Sequence, residues 1–168
     1  MKQQSITDAL FEQMDRTQGG EPWYGPAREL ALKGITFTEA AKHPIKGAPS
    51  IWELVLHMRS WTREVARRLS GAAPGVPADG DWPPIKIVNA RAWTKAKAEL
   101  AAAHAELIAA ARGLSPAWLA RIVGELHSPP LGTGTTVAGM LVGLAQHDAY
   151  HVGQLFLLRR ALKAKSKK

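Results

Sequence analysis

From about Thr135 to Ala161 the spacing predicts one long helix. Its apolar row, Val137, Met140, Leu144, Leu155, Leu158 and, just beyond, Leu162, also takes in His147 and His151. A helix with such a stripe must bury it against other elements, and the neighbours available fix the layer architecture. No convincing alternation of apolar and polar residues marks a strand anywhere in the chain, whereas three other segments carry the helical period.

The first of these runs from Ser5, read as an N-cap, to Thr17, with Ile6, Leu10, Gln13 and Met14 in line. The second runs from Ser50 to about Ser70 through Ile51, Leu54, Met58, Trp61, Val65 and Leu69. Ser50 and Glu53 there form a capping box, in which each side chain bonds the other residue's backbone N–H. A third, from about Ile85 to Arg112, places Val88, Ala92, Ala96, Leu100, Ala103, Leu107 and Ala110 on one stripe, and its alanines suit a close helix approach. Gly113 ends it and Ser115-Pro116 opens a short turn.

The connections are punctuated by glycine and proline. GGEPWYGPAREL leads into short helical stretches ending near Lys33 and spanning Thr38 to Lys42, and GAAPGVPADGDWPP follows the second long helix. GTGTT, at 132 to 136, is read as a flexible loop and cap, and Gly139 with Gly143 as a small-residue pair for tight helix contact. The expected fold is all-α, a four-helix bundle with a long first crossover. It forms a single domain over residues 1–162, and 163–168 are expected to be a basic, disordered tail.

A chain of 168 residues is long enough to bury one core without staples. It has no cysteine, so disulfides, thiolate ligands and cysteine nucleophiles are excluded, and any soft-metal site must use histidine. No signal-like or membrane-spanning apolar stretch is present, and a cytoplasmic location is expected. The formal charge of +8 raises nucleic acid as a partner, but Arg159, Arg160, Lys163, Lys165, Lys167 and Lys168 crowd one helix end. Cations there also complement the helix dipole, so nucleic acid and membrane are set aside as partners.

Residues four apart on a helix lie one above the other, with Cβ atoms about 5–6 Å apart, so His147 and His151 can aim at one point. His57, at the edge of the second helix's stripe, is the candidate third ligand. Two readings stand together here: core imidazoles satisfied by hydrogen bonds, or three imidazoles sharing one metal ion, which would satisfy three buried nitrogens at once.

The segments WELVLHMRSW at 52–61 and QHDAYHVGQL at 146–155, with PWYGP near residue 24 upstream, resemble the histidine-bearing motifs of the DinB superfamily in order and spacing. The resemblance implies a four-helix bundle, often a homodimer, holding one divalent metal ion, zinc or nickel, on His57, His147 and His151. It also implies a small-molecule substrate. Some relatives are metal-dependent hydrolases, or transferases that add low-molecular-weight thiols to electrophiles, and a non-catalytic metal-binding or sensing bundle is the alternative.

Around this set, Gln154, three residues after His151, is a candidate partner for a ligand or substrate, and Gly153 is read as allowing close packing. Asp148 is expected to face solvent or an interface, and Glu53 is explained by its cap. Trp23, Tyr24, Trp52 and Trp82 are candidates for lining an apolar cleft, with ordinary packing as the alternative. His43, His104 and His127 have no partner spacing.

Overall fold

The computed structural model describes residues 6–128 and 131–165. Its elements are α1 (Ile6–Gln18), α2 (Arg28–Leu32), α3 (Phe37–Ala40), α4 (Ile51–Leu69), α5 (Ala90–Arg112), α6 (Pro116–Leu119), β1 (Ile122–Ser128), β2 (Thr133–Thr136) and α7 (Val137–Lys165). The four long helices form a bundle in which α4 and α1 each pack on both α5 and α7. Helices α1 and α4 thus lie across the diagonal, which is why the crossover between them is long. Among the described residues, no helix is long and apolar enough to cross a membrane.

Two apolar clusters fill the bundle. One gathers Leu54, Val55 and Met58 of α4, Trp93, Ala96 and Leu100 of α5, and Val152, Leu155 and Leu158 of α7. The other gathers Phe11 and Met14 of α1, Val65 and Leu69, Leu107 and Ala111, and Met140, Leu141 and Leu144. Early α4 therefore meets early α5 and late α7: α4 and α5 run in the same direction and α7 runs against both. Trp52 against Trp93, with ring centroids 5.2 Å apart, sits at the shared start of the parallel pair. The 70–89 connection must consequently travel back along the bundle, and this return path is what carries Asp81 and Trp82 to the site.

The caps explain several boundaries. Ser50 and Glu53 form the expected capping box at α4. Helix α5 begins at Ala90 rather than near Ile85, because Asn89 caps it by accepting from the Ala92 N–H; Ile87 and Val88 are left exposed. At its far end Ala111, not Ala110, turns inward, as a step of four from Leu107 requires. In α1 the buried row is Phe11, Met14 and Thr17, while Ile6 is 91% exposed; its expected cap, Ser5, lies outside the described residues. Helix α7 continues three residues into the stretch expected to be a tail, and 166–168 lie outside the described residues.

The antiparallel pair β1–β2 departs from the all-helical expectation, and GTGTT is largely strand rather than loop. Only Val123 and Thr133 of it are buried, so no apolar alternation announces it. The strands approach closely at Gly134, whose φ is +73° and where a Cβ would stand 2.6 Å from the His127 Cα. Thr136 closes the hairpin and caps α7, its Oγ1 accepting from the Gly139 N–H at 2.9 Å.

Candidate metal centre

The three predicted histidines meet at the seam between the two apolar clusters. His57 sits on α4 beside Met58, the last residue α4 gives to the first cluster, and His147 and His151 occupy one face of α7 between Leu144 and Leu155. His57 Nε2 is 2.9 Å from His147 Nε2, which is 3.1 Å from His151 Nε2. His57 and His151 are almost fully buried, whereas the His147 side chain stays 27% exposed.

The outward nitrogens are engaged by other groups. His57 Nδ1–H donates to the Asp81 carbonyl at 2.7 Å, with the Asp81 carboxylate 3.1 Å away. His151 Nδ1–H donates to Gln154 Oε1 at 2.7 Å, so the structure places Gln154 against His151. His147 Nδ1 faces Asp148 Oδ1 at 3.5 Å, an electrostatic contact longer than a hydrogen bond. With Nδ1 protonated and turned outward, each ring presents its Nε2 lone pair inward, the tautomer that metal-ligating histidines take. Lone pairs facing one another at 2.9 and 3.1 Å repel, and a shared cation would relieve this at Zn–N distances of about 2.0–2.1 Å. The donor set therefore fits a metal: the three histidines lie close enough together that they could hold one ion.

Electrostatics keeps the rings ready for that role. Burial lowers the His57 pKa against the opposing bond to Asp81. Burial also pushes His151 down to about 4, with the neighbouring histidines adding to the effect. Neutral imidazole is the ligating form.

Trp82 stacks on His57, centroids 4.0 Å apart and planes 10° apart, and stands edge-on to His151. It alone of the four aromatic candidates stacks on the cluster: Trp52 is core, Trp23 is 93% exposed, and Tyr24 is partly exposed and interacts with Thr17, Asp148 and Arg28. Trp61 was read only as core, yet its Nε1–H donates to Asp81 Oδ1 at 2.6 Å, tying the returning loop to α4. Nothing in its spacing signals this, because Asp81 reaches it only through the loop's path.

Asp148 corrects a second expectation. It faces neither solvent nor an interface but is 3% exposed, bonded at 3.3 Å to Arg28, which is fully buried. Burial alone would raise its pKa, but His147 and the Arg28 guanidinium outweigh it and hold the carboxyl below the usual range. Arg28 went unnoticed because it arrives from the crossover. Glu53 keeps its capping role and also pairs with His43 at 2.8 Å, while His104 is buried near Arg28 and Asp15.

A cleft of about 280 Å³ opens beside His147 between α4 and α7. A larger groove, about 740 Å³, lies along α4 and α5, but none of the three histidines lines it, and Arg59 within it pairs with Glu99 and Asp79. Gly139 is crowded, but by the end of β2 rather than by another helix: a Cβ there would fall 2.3 Å from Thr135 Oγ1. Gly143 and Gly153 are not: no heavy atom would lie within 4 Å of either Cβ.

Compared with known families, residues 27–155 match the model of the DinB superfamily. Neither a curated protein nor a solved structure matches the chain.

Proposed function

The chain belongs to the DinB superfamily, and from that membership and the geometry of His57, His147 and His151 we propose that it is a metal-dependent enzyme. In this reading the three Nε2 atoms hold one divalent ion, zinc or nickel, and the reaction is a hydrolysis or the transfer of a low-molecular-weight thiol to an electrophile. The observation that supports it most is the direction of the hydrogen bonds: the outer nitrogens face protein acceptors and the inner ones converge. Three neutral ligands leave coordination positions open, as catalytic sites do and closed structural sites do not.

A divalent ion bound there supplies Lewis acidity, lowering the pKa of water or a thiol enough to give a nucleophile at neutral pH. The chain's own groups hold the rings in place. The Asp81 carbonyl and Gln154 fix the tautomers of His57 and His151, Asp148 places negative charge behind His147, and Trp82 covers one face of His57. A homodimer belongs to the same proposal, supported by Val142, Tyr150 and Leu157 exposed along one side of α7. So does a cytoplasmic location, on the cysteine-free sequence.

One observation favours a second reading, a non-catalytic metal-binding bundle: the ligands clasp α4 and α7 where the two apolar clusters part, a place where an ion would also fasten the fold. Elemental mass spectrometry on the wild type and on His57→Ala, His147→Ala and His151→Ala is the deciding measurement. Near-stoichiometric metal lost in each variant is expected, followed by turnover of electrophile–thiol or ester panels. Metal without turnover, and with a large fall in melting temperature on chelation, would favour the second reading; no metal even after reconstitution would sink both.

A further inference from the structure

We propose that the cleft beside His147 binds an uncharged, apolar group, a single ring or short alkyl chain, and presents it to the metal centre. The inference rests on the metal-dependent reading above and adds to it the class of substrate. Its walls are Trp61 and Val65 from α4 and Met140 and Leu144 from α7, and His147 itself lines it. At about 280 Å³ it has nearly twice the room of a cavity of about 150 Å³ that accepts benzene.

The charge inside the cleft is already committed. Arg68 is the only Lys, Arg, Asp or Glu among the described lining residues, and its side chain is 1% exposed. Its Nε donates to Glu64 at 2.6 Å, Nη1 to the Leu131 carbonyl at 2.6 Å and Nη2 to the Gly75 carbonyl at 2.9 Å. A charged group held among the cleft's own side chains would lose its water and find no free side-chain counter-charge, which is costly, whereas an apolar group gains by leaving water.

Gly143 gives the cleft its depth. Glycine inside a helix is less favourable than alanine. One turn earlier Gly139 has a packing reason, but at Gly143 an added Cβ would meet no atom within 4 Å. The space is therefore open where a side chain would otherwise project, one turn before His147.

The test uses full-length, metal-loaded protein labelled with ¹³C at the methionine methyls, titrated with benzyl alcohol and, separately, with glycerol, which is uncharged but polar throughout. Met140 lines the cleft, whereas Met14 and Met58 are buried outside it. A saturable shift of the Met140 methyl with benzyl alcohol, unmoved Met14 and Met58, and at least roughly tenfold weaker binding of glycerol are expected. Gly143→Leu, which fills the space, removes the response while keeping metal content and helical circular dichroism. An unresponsive Met140 in protein that holds metal, equal affinity for glycerol, or a full response in Gly143→Leu would overturn the proposal. If the protein takes up no metal and Met140 still responds, the cleft stands and the metal-dependent reading falls.

Discussion

Arg68–Glu64 and Arg28–Asp148 are both buried arginine–carboxylate pairs near His147, and they are built differently. Each nitrogen of Arg68 donates a bond, and Glu64 accepts in addition from Arg67 and from the Gly75 N–H. Arg28 makes one bond at 3.3 Å to Asp148, while its Nη2 and Asp148 Oδ1 have no hydrogen-bond partner. The saturated pair fastens the 70–89 connection and the hairpin turn to α4. In the unsaturated pair the free carboxylate oxygen is the one facing the histidine ring. Buried polar networks stabilise most when fully satisfied, so the two pairs should contribute differently to folding.

The sharpest test of the contrast removes one carboxylate at a time. Glu64→Ala leaves a buried guanidinium uncompensated and is expected to cost about 3–5 kcal/mol in urea unfolding, with metal content unchanged. Asp148→Asn keeps an oxygen for Arg28 but removes the charge behind His147; a smaller stability loss and a roughly 10–100-fold weaker zinc affinity are expected in competition titrations. Equal effects of the two variants on metal affinity would break the comparison.

Acid sharpens it from another direction. In the metal-free protein His57 and His151 have lowered pKa values, His151 about 4, whereas in the unfolded chain histidines titrate near 6.5. Protons therefore bind the unfolded chain first. The stability gained from keeping these rings neutral is complete above about pH 6.5 and is lost as pH falls toward 4. Melting temperatures from pH 7.5 down to 4.5 should show this fall, with Glu64→Gln shifting the curve downward without moving its midpoint. The smallest effect is assigned to Arg67, whose side chain is 45% exposed beside Glu64: Arg67→Ala should cost under about 1 kcal/mol in the same unfolding assay.

The helices and the histidines were legible because both follow from spacing within one segment. Three-and-four periodicity identified all four long helices, and i, i+4 spacing put His147 and His151 on one face. What escaped depends on atoms brought from elsewhere. Asn89 wins the start of α5 from Ile85 by a cap bond that periodicity does not register. The hairpin stayed hidden because its exposed positions include Ile122 and Leu126, so the alternation that signals a half-buried strand is missing. Asp148 was misplaced because angular position on a lone helix cannot reveal that the crossover delivers Arg28 to that side.

Taken alone, the sequence determined an all-α bundle, the caps at Ser50, Gly113 and Ser115, and three histidines of a family that binds metal, since local hydrogen bonds and residue spacing suffice for each. Only the tertiary structure decided that α4 and α5 run parallel, and so that the chain between them returns past the site. That path gives His57 its carbonyl partner and its stacked indole, neither of which lies on a helix. It also decided which buried arginine is satisfied, because burial and hydrogen-bond completion belong to the packed arrangement of several segments rather than to any one of them.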